Sequence, residues 1–141
     1  MKPKFFSFLA LLLFSTLGFG MDSESRTEYE YAPSETVALE LLPAEFWWGG
    51  LSVDGYLMPY NEQTQLERNL YANNAGNQAS PILVSSKGRY VWSEMPYRYR
   101  FANGVLTVDE AMGPVYIGDG GYGLAEGFAA VSKKYFPANG D

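Results

Sequence analysis

Six carboxylates are candidates for acid–base chemistry, and two of them at the right separation would suffice to hydrolyse a glycosidic bond. Such a pair must flank the bond at a separation of about 5–10 Å, which spacing along a sequence does not establish. The competing interpretation, which we favour, is that they are solvated acids, since acidic residues usually lie at the surface. The six are Asp54, Glu94, Asp109, Glu110, Asp119 and Glu126.

The sequence contains neither cysteine nor histidine, which excludes several kinds of catalytic and metal site. Disulfide bonds, thiolate chemistry and Cys/His zinc sites are therefore impossible. The commonest general base, the histidine imidazole, is also missing. We expect no metal site and no cofactor.

Aromatic residues make up 16% of the sequence, and a group of them would suit a sugar-binding platform. Rings stack on the apolar faces of sugars, while carboxylates and amides bind the hydroxyl groups. The alternative that we favour places these rings in the core, because large aromatic side chains usually bury most of their area. On a strand, the adjacent Trp47 and Trp48 point to opposite faces, so at most one belongs to the core on that side. The platform candidates are Trp47, Trp48, Trp92, Tyr56 and Tyr60, with polar contacts from Asp54, Asn77, Gln78 and Glu94.

A glycine-rich segment, residues 118–123, matches the dinucleotide-binding pattern GxGxxG. It follows an expected strand and precedes an expected helix, which is the context that a nucleotide site requires. The chain ends, however, before a second parallel strand with its acidic residue. A flexible turn leading into a helix is the better interpretation.

Four segments between Pro81 and Asp109 have the composition of β-strands and are separated by turn residues. We expect them to form an antiparallel meander whose strands span residues 81–85, 89–94, 97–101 and 105–109. Alternation places Tyr97, Tyr99 and Phe101 in the core. Arg98 and Arg100 then lie on the other face, either in water or paired with carboxylates.

The preceding half of the chain is less clearly patterned. Tyr29 and Tyr31 suggest a first strand, and residues 36–42 fit either a strand or a helix. Asp54-Gly55 is typical of a hairpin turn. Residues 61–77 are predicted to form a long loop with a helical turn at 62–70.

Residues 123–136 are predicted to form a helix that Pro137 ends. Leu124, Phe128, Val131 and Tyr135 fall at helical spacing and form one apolar stripe. Lys133 and Lys134 lie in the last turn, where the helix dipole favours cations.

Length and charge indicate one acidic domain behind a targeting segment. The 141 residues carry a net charge of −6, and an acidic chain repels the phosphate backbone of nucleic acids. Two lysines, an apolar run and small residues before Met21 are typical of a cleaved secretory signal, with an uncleaved anchor as the alternative. We therefore predict a signal peptide at 1–20, an exposed acidic lead-in at 21–35, and a β-domain at 36–141. The mature protein is expected in the periplasm or outside the cell, with no membrane contact after cleavage.

Several segments resemble the N-terminal domain of family-31 glycoside hydrolases, which are enzymes of the α-glucosidase and α-galactosidase type. The main one is the run from Gly76 to Glu94, which includes Ser80-Pro81-Ile82-Leu83-Val84 and Gly88-Arg89-Tyr90-Val91-Trp92. The resemblance spans residues 46–137, most of the expected mature chain. Its other segments are Phe46-Trp47-Trp48-Gly49-Gly50, Asp54-Gly55, Met58-Pro59-Tyr60 and Lys133-Lys134-Tyr135-Phe136-Pro137.

The resemblance implies an incomplete, galactose-mutarotase-like antiparallel β-sandwich with one C-terminal helix. In that family a (β/α)₈ barrel follows the sandwich and carries both catalytic carboxylates, in a retaining mechanism on α-linked sugars. The barrel is missing here, so we assign no catalytic residue, and the chain would be a fragment, a truncated reading frame or one part of a split gene. Asp54, Asn77, Gln78 and Trp92 fall in the matching regions and are the candidate substrate-binding residues.

Three functions follow as hypotheses. The first is the accessory domain of a secreted α-glycosidase, which would bind an α-linked oligosaccharide and pack on the catalytic barrel. The second is a free-standing carbohydrate-binding β-sandwich without catalysis. The third is a structural envelope protein without a ligand, which would lack an exposed aromatic platform.

Overall fold

The protein is mainly β, with two antiparallel sheets and one C-terminal helix, which confirms the predicted β-sandwich. The computed structural model describes residues 27–72 and 78–138. The predicted signal peptide and residues 21–26 of the lead-in lie outside these ranges. The elements are β1 Glu28–Tyr31, β2 Val37–Glu40, β3 Trp47–Leu51, a 3₁₀ helix Ser52–Leu57, β4 Leu66–Asn69, β5 Ala79–Ser85, β6 Arg89–Trp92, β7 Arg98–Ala102, β8 Val105–Asp109, β9 Val115–Asp119 and α1 Leu124–Tyr135.

The two sheets enclose the core between their inner faces. The five-stranded sheet has the order β1-β9-β6-β5-β3, and the four-stranded sheet has the order β2-β8-β7-β4. Alternation along each strand sends every second side chain inward, as expected for packed sheets. The fully buried core residues of the larger sheet include Trp47, Leu83, Val91 and Val115. Those of the smaller sheet include Tyr99, Phe101 and Leu106, and Tyr97, which directly precedes β7, is also fully buried.

The four strands expected between Pro81 and Asp109 are present, but the single meander is wrong. β5 pairs with β6, and β7 pairs with β8, yet the two hairpins belong to different sheets. The chain crosses between the sheets at residues 93–97, where Ser93 Oγ accepts a hydrogen bond from the backbone N–H of Met95 at 3.1 Å. This turn and Pro96 interrupt the pairing, so the two hairpins can bury their apolar faces against each other.

The earlier half of the chain confirms one prediction, settles one open alternative and overturns two predictions. β1 contains the strand expected from Tyr29 and Tyr31, within the segment assigned to the lead-in, and residues 37–40 are a strand rather than a helix. Asp54-Gly55 lies in a 3₁₀ helix and not in a hairpin turn. Residues 66–69 form β4, which pairs with β7, because this tertiary pairing outweighs the local helix propensity of Leu, Glu and Arg.

Helix α1 packs on the outer face of the five-stranded sheet. Its Val131 is fully buried beside Val84 and Tyr90. The predicted helix is confirmed, but its predicted apolar stripe is only half right, because Leu124 and Phe128 are 39% and 52% exposed. The side of the helix that faces the sheet contains Gly127 and Val131. A Cβ atom on Gly127 would lie 2.7 Å from the carbonyl oxygen of Gly88. Within residues 27–72 and 78–138, no helix is both long and apolar enough to span a bilayer.

Candidate functional site

An open groove of about 480 Å³ lies at one end of the five-stranded sheet. Its walls are the C-terminal end of β3 with Ser52, the N-terminal end of β5 with Gln78, and the side chain of Met58. The β3–β5 register shifts between Gly49 and Gly50, which is a β-bulge. Bulges redirect a strand at a sheet edge, and here the redirected strand forms one wall of the groove.

Two consecutive glycines make the bulge possible. Gly49 and Gly50 have φ values of +132° and +82°, which L-residues rarely adopt. A Cβ atom on Gly49 would lie 2.1 Å from the carbonyl oxygen of Ile82, and one on Gly50 would lie 2.1 Å from the hydroxyl oxygen of Tyr99. Glycine is therefore required at both positions, which explains the Gly-Gly pair in structural terms.

Ser52 fixes the entrance of the groove. Its backbone N–H and its hydroxyl group donate to the carbonyl oxygen of Gln78 at 3.0 and 3.2 Å. This ties the first residue of the 3₁₀ helix to the start of β5. Gln78 itself is exposed, so its side-chain amide is accessible to a ligand. The neighbouring candidate Asn77 lies outside the described residues.

The 3₁₀ helix presents apolar side chains to solvent beside this groove. Tyr56 is 82% exposed, and Val53 is 46% exposed. Ser52, in the same short helix, lines the groove, and Met58 follows directly after it. An accessible ring on the element that borders a groove can stack on a flat apolar ligand surface.

Asp54, in the same helix, is buried and is not a groove residue. Its two carboxylate oxygens accept hydrogen bonds from Nε and Nη2 of Arg68 at 2.7 and 2.9 Å. The hydrogen bond to Asp54 raises the pKa of Arg68, which favours the charged guanidinium. The carboxylate that the sequence suggested for ligand binding thus holds the 3₁₀ helix against β4.

The remaining aromatic candidates do not form one platform. Trp47 and Tyr60 are fully buried, and the guanidinium of Arg89 lies 5.6 Å from the Trp47 ring centre. Trp48, on the opposite face of β3, is half-buried, as the alternation argument predicted. Trp92 is half-buried under α1, with the rings of Tyr135 and Phe136 at 5.4 and 5.2 Å from its own.

The other carboxylates are dispersed. Asp109 and Glu110 both pair with Arg98, at 2.7 and 3.0 Å, on the outer face of the four-stranded sheet. This agrees with the expectation of an arginine face in water or paired with carboxylates. Glu94 is exposed in the connection between β6 and β7, and Glu126 is exposed on α1. Asp119 accepts a hydrogen bond from the N–H of Gly121 at 2.9 Å. In residues 27–72 and 78–138, no three Asp or Glu side chains converge into a metal-binding group.

The glycine-rich segment 118–123 is not part of a dinucleotide fold. β9 is antiparallel to both of its neighbours, whereas the nucleotide fingerprint belongs to a parallel βαβ unit. One of its amides is already engaged, since the N–H of Gly120 donates to the carbonyl of Gly88 at 2.7 Å. The segment is a tight turn into α1.

Two carboxylates that the sequence argument did not single out are among the most heavily bonded. Glu45 is buried and receives hydrogen bonds from Nε of Arg89 at 2.8 Å and from the N–H of Leu42 at 2.9 Å. The carboxylate of Glu28 accepts hydrogen bonds from the hydroxyl groups of Tyr90 and Tyr135 and from the ammonium group of Lys134. The partners of Glu28 lie 62 to 107 residues away along the chain, so no local pattern reveals them.

The chain matches no protein-family model, and a search of curated proteins found no similar sequence. The groove therefore has to be interpreted from its own geometry.

Proposed function

We propose that the protein binds a carbohydrate in the groove between β3 and β5. The observation that carries this proposal is the exposed ring of Tyr56 on the 3₁₀ helix that borders a groove of about 480 Å³. Pockets for small ligands lie in a similar range of volume, upward of about 300 Å³. Sugars combine apolar C–H faces with hydroxyl groups, so they suit a ring beside neutral polar side chains.

The polar groups at the groove are of the kind that pairs with hydroxyl groups. Gln78 offers an amide, which both donates and accepts hydrogen bonds, and Ser80 offers a hydroxyl. Met58 adds an adaptable apolar contact. This set replaces the aromatic platform of the sequence hypothesis, in which only Tyr56 remains fully available.

The finer proposal is that the chain serves as the N-terminal accessory domain of a secreted α-glycosidase. Its support is the resemblance of residues 46–137 to family-31 glycoside hydrolases, together with the signal-like residues 1–20. The sandwich would then present the sugar, and a separate barrel would carry out hydrolysis. A free-standing carbohydrate-binding module, exported in the same way, is the alternative.

Calorimetry of the purified chain with oligosaccharides tests the binding proposal. We expect saturable binding of maltohexaose or isomaltotriose in the micromolar to millimolar range, with cellohexaose as the β-linked comparison. Tyr56→Ala should weaken binding about tenfold or more, because stacking on an aromatic ring contributes roughly 1–3 kcal/mol. Tyr122→Ala is the matched control, since Tyr122 is 87% exposed but precedes α1. If no member of a broad glycan panel binds, or if both variants behave alike, the proposal is wrong.

The mass of the native product in its source cells distinguishes the two finer versions. An antibody against residues 81–101 would detect a product several times heavier than this chain if a catalytic domain follows. A product slightly lighter than the 141-residue chain would indicate a processed, free-standing module. Recovery from the cytoplasm alone would contradict export.

A further inference from the structure

The exposed side of α1 fits a second copy of the same chain. We propose that two copies pair through α1, with their helices antiparallel about a two-fold axis. The pairing would place the outer helix of one sandwich against that of the other and would leave both grooves open.

The side of α1 that faces away from the sheet combines small residues with exposed aromatic ones. Ala125 is exposed, and Ala129 and Ser132 are partly exposed, so this side has no bulky centre. The hydroxyl of Ser132 donates to the carbonyl of Ala129 at 3.2 Å and is satisfied within the helix. Small residues let two helices approach closely. Phe128 borders this side and is 52% exposed, and Phe136, which follows the helix, is 40% exposed.

Each flank of this surface complements its own copy. Glu126 and Lys133 are both exposed and lie seven positions apart, so at 3.6 residues per turn they share one flank of the helix. Phe128 lies on the opposite flank. In an antiparallel helix pair, equivalent flanks meet each other, so aromatic would meet aromatic and the charged flank would meet the charged flank.

The register also fits, because Glu126 and Lys133 are equally far from the middle of Leu124–Tyr135. A two-fold axis through that middle places Glu126 of each copy opposite Lys133 of the other, which gives two ion pairs from one contact. Lys134 is not part of this set, since its ammonium already binds Glu28. A closed two-fold contact uses the same patch on both copies, and this self-complementarity is why we choose a second copy over an unrelated protein.

Sedimentation velocity over a concentration series tests the proposal on the intact chain. We expect a reversible dimer, which Phe128→Ser weakens. Glu126→Lys and Lys133→Glu should each weaken the dimer about tenfold, because each replaces two attractive pairs by two repulsive ones. The double variant Glu126→Lys/Lys133→Glu should recover the wild-type dissociation constant, since the pairs are then restored with opposite signs.

Two exposed residues away from α1 provide matched controls. Arg100→Glu, on β7, and Glu67→Lys, on β4, change the net charge by the same amounts as the two test variants and should leave the dimer unchanged. Circular dichroism checks that every variant folds. A chain that stays monomeric at millimolar concentration overturns the proposal, as does a dimer that the double variant fails to restore. A catalytic domain or another protein covering this surface instead would appear as such a monomer.

Discussion

Gly118 allows one side chain to reach across a whole strand. It lies in β9 between Glu28 of β1 and Tyr90 of β6, its register partners on either side. Tyr90 extends over Gly118, and its hydroxyl donates to the carboxylate of Glu28. A Cβ atom on Gly118 would lie 2.3 Å from that hydroxyl oxygen. Because Gly118 has no side chain, Tyr90 of β6 can reach across β9 and bind Glu28 of β1.

Gly118→Ala should lower the free energy of unfolding by about 2 kcal/mol, because the ring of Tyr90 must move and its hydrogen bond is disturbed. Urea denaturation measures this change. Gly55→Ala is the control, since a Cβ atom there meets nothing within 4 Å, and its effect should be small. Equal effects of the two substitutions would contradict the role assigned to Gly118.

At the scale of elements, an ion pair holds the 3₁₀ helix Ser52–Leu57 to β4. Asp54 is the residue of this helix that is buried, and Arg68 of β4 binds both of its carboxylate oxygens. Without Arg68 a buried carboxylate would be left unpaired, which is among the costly changes a protein can undergo. The helix also forms part of the groove wall through Ser52, so its position matters to the proposed ligand.

Arg68→Ala should therefore lower the free energy of unfolding by about 2–3 kcal/mol and should also weaken sugar binding. Arg100→Ala, an exposed arginine on the adjacent strand β7, should change either quantity little. Denaturation and calorimetry on the same two variants provide both measurements. If Arg68→Ala were as mild as Arg100→Ala, the ion pair would not be what holds the helix.

The sequence predicted the structure best where the alternation of side chains along a single strand decided which face is buried. The alternation of Tyr97, Tyr99 and Phe101 predicted a core face, and these side chains are buried. The pairing of strands that are distant in the sequence was not predictable. For this reason a helical turn was expected at 62–70, where the structure has β4 paired with β7. The choice of sheet for each hairpin depends on how two apolar faces meet, and spacing along the chain does not encode that.

The candidate site was predictable only in part, for a related reason. Tyr56 and Gln78 could be chosen from residue type, and both are exposed beside or within the groove wall. Asp54 and Trp92 have equally suitable side chains, but Arg68 and helix α1 engage them. Exposure depends on partners far along the sequence, and for these two residues the partners were not foreseeable.

At the scale of the whole molecule, three ionised carboxylates join different elements of the fold. Glu28 joins β1 to β6 and α1, Glu45 joins the segment before β3 to β6, and Asp109 joins β8 to β7. Burial raises the pKa of Glu28 and of Glu45, but the hydrogen bonds that each carboxylate accepts together outweigh burial and lower both pKa values. The largest of these come from Lys134 to Glu28 and from Arg89 to Glu45. The hydrogen bond from Arg98 lowers the pKa of Asp109 below 3.8.

Because these pKa values are lower in the folded state than in the unfolded state, the stability they provide is complete above about pH 4.5 and is lost as the pH falls through the folded values. The protein should thus unfold progressively more readily as the pH falls below about 4.5. Glu28→Gln removes one of these three contributions and should lower the free energy of unfolding by about 1–2 kcal/mol at pH 7. The difference from the unsubstituted protein should shrink as the pH falls below about 4.5, because protonated Glu28 resembles glutamine. Urea denaturation at successive pH values measures this convergence, with the exposed Glu94→Gln as control. A difference that stays constant with pH would show that Glu28 contributes by its shape and not by its charge.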